Sequence, residues 1–159
     1  MDRTGNVVRL MPKTTWSPVP AMSASASSSD ADVSAKRLRV LVVDNEPDTV
    51  MSLLAILRDE GHYAEGVVDP RRALSEVESF HPDAVLVDIA MPNVTGWEIA
   101  RQIRARPGRR PLLIAITGVY VKSPDELLSR AAGFDHYLKK PCDPAFLLNI
   151  LAAITPRTQ

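Results

Sequence analysis

The stretch LRVLVVDNEPD, residues 38–48, decides the fold. Leu38, Val40, Leu41, Val42 and Val43 form a nearly unbroken apolar run that ends abruptly in Asp44, Asn45 and Glu46. A continuous run, rather than an alternating one, is what a strand covered on both faces requires. Pro47 stands where a helix can begin, since its missing N–H costs nothing in a first turn. Val50, Leu53, Leu54 and Leu57 then recur at i, i+3, i+4 and i+7, the spacing of one helical face. A buried strand, an acidic turn and an amphipathic helix make the first part of a βαβ unit.

The alternation continues along the chain. Further apolar runs are YAEGVV (63–68), DAVLVD (83–88), PLLIAIT (111–117) and FDHYL (134–138). Between them lie helical periods around Leu74 and Val77, around Ile99, Ala100 and Ile103, and around Leu127, Leu128 and Ala131. A last period carries Leu147, Ile150, Leu151 and Ile154. Ser123-Pro124-Asp125-Glu126 reads as a helix start, and Gly61 and Gly133 stand where helices should stop. Five strands alternating with five helices predict an α/β fold: a doubly wound, five-stranded parallel sheet with right-handed crossovers. Residues 37–155 hold this domain. Residues 1–36, rich in Ser, Ala and Pro, read as a disordered tail, because they hold little apolar surface to offset the entropy of ordering, and residues 156–159 are a short C-terminal tail.

Composition narrows the function. Nineteen Lys and Arg balance 19 Asp and Glu, so bulk electrostatics offers no reason to expect nucleic acid as a direct partner. Cys142 stands alone, which excludes an intramolecular disulfide and fits a reducing compartment. No apolar run reaches the ~20 residues of a membrane span, and we expect a cytoplasmic protein with no membrane contact.

In an open parallel sheet, ligands bind beyond the carboxyl ends of the strands, where the strand order reverses. The residues ending the strands are Asp44-Asn45-Glu46, Asp88, Thr117-Gly118 and, after the last strand, Lys139-Lys140-Pro141. With strand order 2-1-3-4-5, these groups share one edge. A carboxylate can attack phosphorus to give an acyl phosphate, and the reaction needs charge neutralisation more than a base. A hard divalent cation and a lysine supply it. Asp88 is then the nucleophile, the Asp44 region holds the metal, Lys140 pairs with the anion and Thr117 senses it.

The segments VLVVDNEPD, AVLVDIAMPNVTGWE, LLIAITG and GFDHYLKKPCDP resemble, in order and spacing, the receiver domain of two-component response regulators, whose sheet is flavodoxin-like. The resemblance implies a phosphoprotein of a phosphorelay, not an enzyme, that takes a phosphoryl group from a sensor histidine kinase or phosphotransfer protein with magnesium as cofactor. By that resemblance Asp88 is the phosphoacceptor, and Thr117 and Lys140 match the family's hydroxyl and lysine. Asp44, Asn45, Asp88 and the carbonyl of Ala90 match the Mg2+ site, and Tyr137 matches the switch aromatic. The face built by the fourth helix, fifth strand and fifth helix, near Leu127 to Ile154, carries dimerisation or downstream protein contacts in the family. Only TPRTQ follows the last helix, so a single-domain regulator is expected.

One departure stands out: the family usually has two adjacent acids after the first strand, and here the second is Asn45. Its amide oxygen coordinates without charge, so it attracts magnesium less. Glu46 can compensate. The alternative reading is a phosphorylation-independent receiver acting as an interaction module. A haloacid-dehalogenase-like phosphatase is disfavoured, since it needs a second acid two residues after the nucleophile, and Ile89 and Ala90 follow Asp88. A flavin carrier would need a hydroxyl-rich loop where DNEPD stands. His62, His81 and His136 lack ligand spacing, and the basic run RARPGRR (104–110) reads as a solvated loop.

Overall fold

The computed structural model describes Val7–Val8, residues 36–118 and residues 132–154. The predicted helix around Leu127, Leu128 and Ala131, with its start at Ser123, lies outside the described residues.

Five parallel strands form the sheet: β1 (Arg39–Val43), β2 (Tyr63–Val67), β3 (Ala84–Asp88), β4 (Leu112–Thr117) and β5 (His136–Lys139). Their order is 2-1-3-4-5, and every neighbouring pair is parallel. The sheet has one addition that the sequence reading did not include. Val7–Val8 pairs antiparallel with β2, Val7 opposite Val67 and Val8 opposite Gly66, on the outer edge of the sheet. Two valines are too short a run to display any period.

Side chains alternate across the pleat, so each central strand feeds two cores. Val40 and Val42 of β1 and Ile114 and Ile116 of β4 meet Leu54 and Leu57 of helix α1 (Pro47–Asp59) and Leu147 and Leu151 of the C-terminal helix (Pro144–Ala152). Leu41, Val43, Val85, Val87 and Leu113 face the other way, onto α2 (Ala73–Phe80) and α3 (Gly96–Ala105). Each fully buried Leu or Val contributes roughly 1.5–3 kcal/mol. This two-sided burial is why β1, β3 and β4 read as continuous apolar runs.

The predicted punctuation appears in the backbone. Pro47 occupies the first turn of α1, and Gly61, just past its end, takes φ +85°. Thr95 caps α3 by accepting from the Glu98 N–H at 3.3 Å. Gly66 sets the approach of α1 to β2: a Cβ there would lie 2.3 Å from Val50 Cγ1. The helix expected around Leu74 and Val77 is α2, and both residues pack against the core from its flank. Ala73, Glu76 and Phe80 are buried, whereas Leu74 and Val77 are only partly covered. Arg72 makes the burial of Glu76 tolerable through a 2.9 Å ion pair. No helix among the described residues is long and apolar enough to cross a membrane.

Candidate functional site

The carboxyl ends of β1, β3, β4 and β5 converge, and there the sheet stops using its own hydrogen bonds and starts using side chains. The Asp44 N–H still donates to Val67 O at 3.1 Å, so the first residue after β1 is held in line with β2. Its carboxylate is buried at 2% exposure. Asp44 Oδ1 accepts the Glu46 N–H at 2.9 Å, which fixes the acidic turn ahead of α1. Asp88 ends β3 at 4% exposure, and its Oδ1 accepts the Ala90 N–H at 3.1 Å.

Lys140 joins the two strand ends. Its Nζ lies 2.7 Å from Asp44 Oδ2 and 3.2 Å from Asp88 Oδ2, with Glu46 Oε2 at 3.6 Å. Burial alone would lower the lysine's pKa, but the hydrogen bonds and charges of Asp44 and Asp88 outweigh it and hold the pKa above the ordinary value. For Asp44, burial prevails over the ammonium and the Glu46 N–H, and its pKa is raised. The peptide bond between Lys140 and Pro141 is cis.

Thr117, the last residue of β4, is buried at 2% exposure beside this cluster. The Lys140 N–H donates to Thr117 O at 2.7 Å, extending the β4–β5 ladder by one bond beyond the strands. Tyr137 lies two residues before Lys139 on β5, opposite Ala115, with its half-buried ring against the core on the α2 and α3 side. Ala90 is exposed at the rim. The side chains of Asp44, Asp88 and Lys140 are thus in direct contact, Thr117 is on the adjoining strand end, and Tyr137 stands one pleat below.

Asn45 takes a different place. It lines a cleft of about 380 Å3 together with Asp69, Arg71 and Asn93. Sequence reasoning did not single out Asp69, which enters because β1 and β2 are neighbours and their following loops meet. Its carboxylate accepts from Arg71 Nε and Nη2 at 3.0 and 2.9 Å, and these bonds lower its pKa. Among the described residues, no group of three or more His, Cys, Asp or Glu is disposed to hold a metal ion.

Gly96 brings the start of α3 against the end of β3. A Cβ on Gly96 would fall 2.4 Å from Asp88 O and 2.8 Å from Ile89 Cα, and the Gly96 N–H donates to Ile89 O at 3.2 Å. Glycine is therefore required where the loop after Asp88 folds back.

A 2-1-3-4-5 sheet with a lysine clamped between two strand-end aspartates defines a receiver module. The chain belongs to the response regulator receiver domain family, whose model matches residues 40–152. It is 33% identical over 112 residues to the DNA-binding response regulator MtrA of Mycolicibacterium smegmatis, a match covering 70% of this chain and 48% of that protein. It is 32% identical over 115 residues to a 14.6 kDa protein of Leptolyngbya boryana, covering 72% and 88% respectively. Among solved structures, the CheY-like receiver domain protein of Methanospirillum hungatei superposes with a TM-score of 0.65 at 30% identity, over 72% of this chain and 90% of that one. The matched region thus spans about half the length of MtrA.

Proposed function

We propose that the chain is a phosphoacceptor of two-component signalling that takes a phosphoryl group on Asp88 from a sensor histidine kinase or a phosphotransfer protein. The observation that carries this reading is Lys140 Nζ, shared between Asp44 at 2.7 Å and Asp88 at 3.2 Å in a buried corner of the sheet. In the transfer, an oxygen of the Asp88 carboxylate forms a bond to phosphorus while the bond from phosphorus to the donor's histidine nitrogen breaks. The imidazole leaves with its electron pair. Lys140, already oriented by Asp44, offsets the negative charge accumulating on the phosphoryl oxygens.

The chemistry of the donors suits magnesium, since the Asp44 and Asp88 carboxylates and the Ala90 carbonyl are all oxygen ligands, and the Asn45 side-chain oxygen would join them only by turning from the neighbouring cleft it lines. When bound, the ion supplies additional neutralisation of phosphoryl charge. Two carboxylates and a neutral amide give weaker attraction than three carboxylates, so a higher magnesium requirement is expected. The Thr117 hydroxyl, at the adjoining strand end, would bond a phosphoryl oxygen, and movement at that strand end would be read by Tyr137 on the neighbouring strand. Output then passes to a downstream protein, or a second copy of the chain, through the face that includes β5 and the C-terminal helix. That helix presents Phe146 at 53% exposure.

Intact-mass analysis after incubation with a small-molecule phosphodonor, across a magnesium titration, tests the reading. One phosphoryl adduct per chain, absent in Asp88→Asn, is expected. A folded wild-type protein that forms no adduct even at high magnesium would instead be a phosphorylation-independent interaction module.

A further inference from the structure

The sheet's amino-terminal edge, opposite Asp88, carries a cleft of about 780 Å3. That is within the ~300–1,000 Å3 of ordinary binding pockets. Its floor is apolar, with Pro111, Leu112, Phe134 and Ile150, and its rim is basic, with Arg101, Arg109 and Arg110. Sequence reasoning treated RARPGRR as a solvated loop. Residues 107–110 are exposed, as a solvated loop is, and Arg109 and Arg110 also border this concave surface.

The roles of the charged residues differ. Arg104 is fully engaged: Nε donates to Gly133 O at 2.8 Å, Nη1 to Pro111 O at 2.8 Å, and Nη2 pairs with Asp135 at 2.5 Å. It builds the wall of the cleft. The two acids in the wall also serve the backbone, Asp135 accepting the Leu113 N–H at 2.8 Å and Asp83 the Arg39 N–H at 2.9 Å. Arg101 and Arg110 are exposed, and neither makes a hydrogen bond or ion pair with another described residue.

We infer that this cleft docks an acidic segment of a partner protein, with an apolar side chain on the floor and carboxylates on Arg101 and Arg110. Guanidinium groups recognise carboxylates through paired N–H donors, and Arg clusters are a recurrent way of holding acidic motifs. The apolar floor gives a nucleic-acid backbone nothing to bind. The cleft lies at the opposite end of the strands from Asp88, so docking and phosphoryl transfer do not compete for space.

Fluorescence anisotropy of a fluorescein-labelled peptide of about ten residues alternating Glu and Leu tests this on the full chain. Expected are saturable binding that weakens with added salt, a loss of about tenfold or more in affinity in Arg101→Glu/Arg110→Glu, and unchanged affinity in Asp88→Asn. Circular dichroism should report an unaltered fold in the double variant. The same peptide with Gln in place of Glu should bind at least about tenfold more weakly. Undiminished binding to the folded double variant, absence of saturable binding to wild type, or tighter binding of a single-stranded oligonucleotide than of the acidic peptide would each overturn the inference.

Discussion

Replacing Gly96 by alanine tests how the site is held in place. The added methyl carbon would meet Asp88 O at 2.4 Å, about 1 Å inside the 3.4 Å at which ordinary contact begins. Asp88 ends β3 in register with Ile116 of β4, so that oxygen cannot retreat without disturbing the ladder between them. The start of α3 must move instead, and with it goes the bond from the Gly96 N–H to Ile89 O. Overpacking costs typically ~1–3 kcal/mol, and the lost hydrogen bond adds roughly 1 kcal/mol. We therefore expect destabilisation of about 3 kcal/mol. Urea unfolding followed by far-UV circular dichroism measures it, and with m near ~1–3 kcal/mol/M the midpoint should fall by roughly 1–3 M. Gly118→Ala is the control, because a Cβ there meets nothing closer than Lys140 at 3.8 Å. It should stay within about 0.5 kcal/mol of wild type. If Gly96→Ala unfolds at the wild-type midpoint, the close approach of α3 to β3 does not position Asp88.

Further outcomes are expected. Asn45→Asp should tighten magnesium binding by about tenfold, since it adds one full charge to the oxygen donors, and calorimetric titration checks it. For Asp44, whose folded pKa is raised above 3.8, ionisation is harder in the native state; stability therefore falls as pH rises from about 3.8 through the folded value. Lys140→Met should move the Asp44 titration, followed by carboxyl NMR, to still higher pH. Lys140 itself contributes stability that is complete below 10.5 and disappears as pH rises through its raised folded pKa, so wild type should lose an advantage over Lys140→Met only in strongly alkaline solution. Arg104→Lys should lower stability by about 2–3 kcal/mol in thermal or urea unfolding, because an ammonium cannot serve Gly133 O, Pro111 O and Asp135 from one planar fork.

The central strands were legible because burial on both faces leaves a run of Val, Leu and Ile that polar residues cannot interrupt, and α1 because its four buried positions keep strict helical spacing. The strand-end cluster followed from topology: once the order is 2-1-3-4-5, Asp44, Asp88, Thr117 and Lys140 must share an edge. Other features depend on pairings across long sequence separations. Leu74 and Val77 pack against the core as their spacing suggests, but the burial of Glu76 beside them could not be read locally, since it rests on the ion pair with Arg72. Asp69 beside Asn45 and the three acceptors around Arg104 are products of loop packing, for which local spacing holds no signal. Val7–Val8 gains its structure wholly from the β2 edge it pairs with.

The Lys140 N–H bonds Thr117 O just beyond the β4–β5 ladder, where it ties the two strand ends together. If Asp88 takes the phosphoryl group as proposed, this bond would couple sensor and counter-charge mechanically, since the residue bearing the hydroxyl and the residue bearing the ammonium hang from a single rung. A tug on one is a tug on the other. The two cannot report a new anion separately, and a substitution that slackens that rung should blunt the response even with both side chains intact.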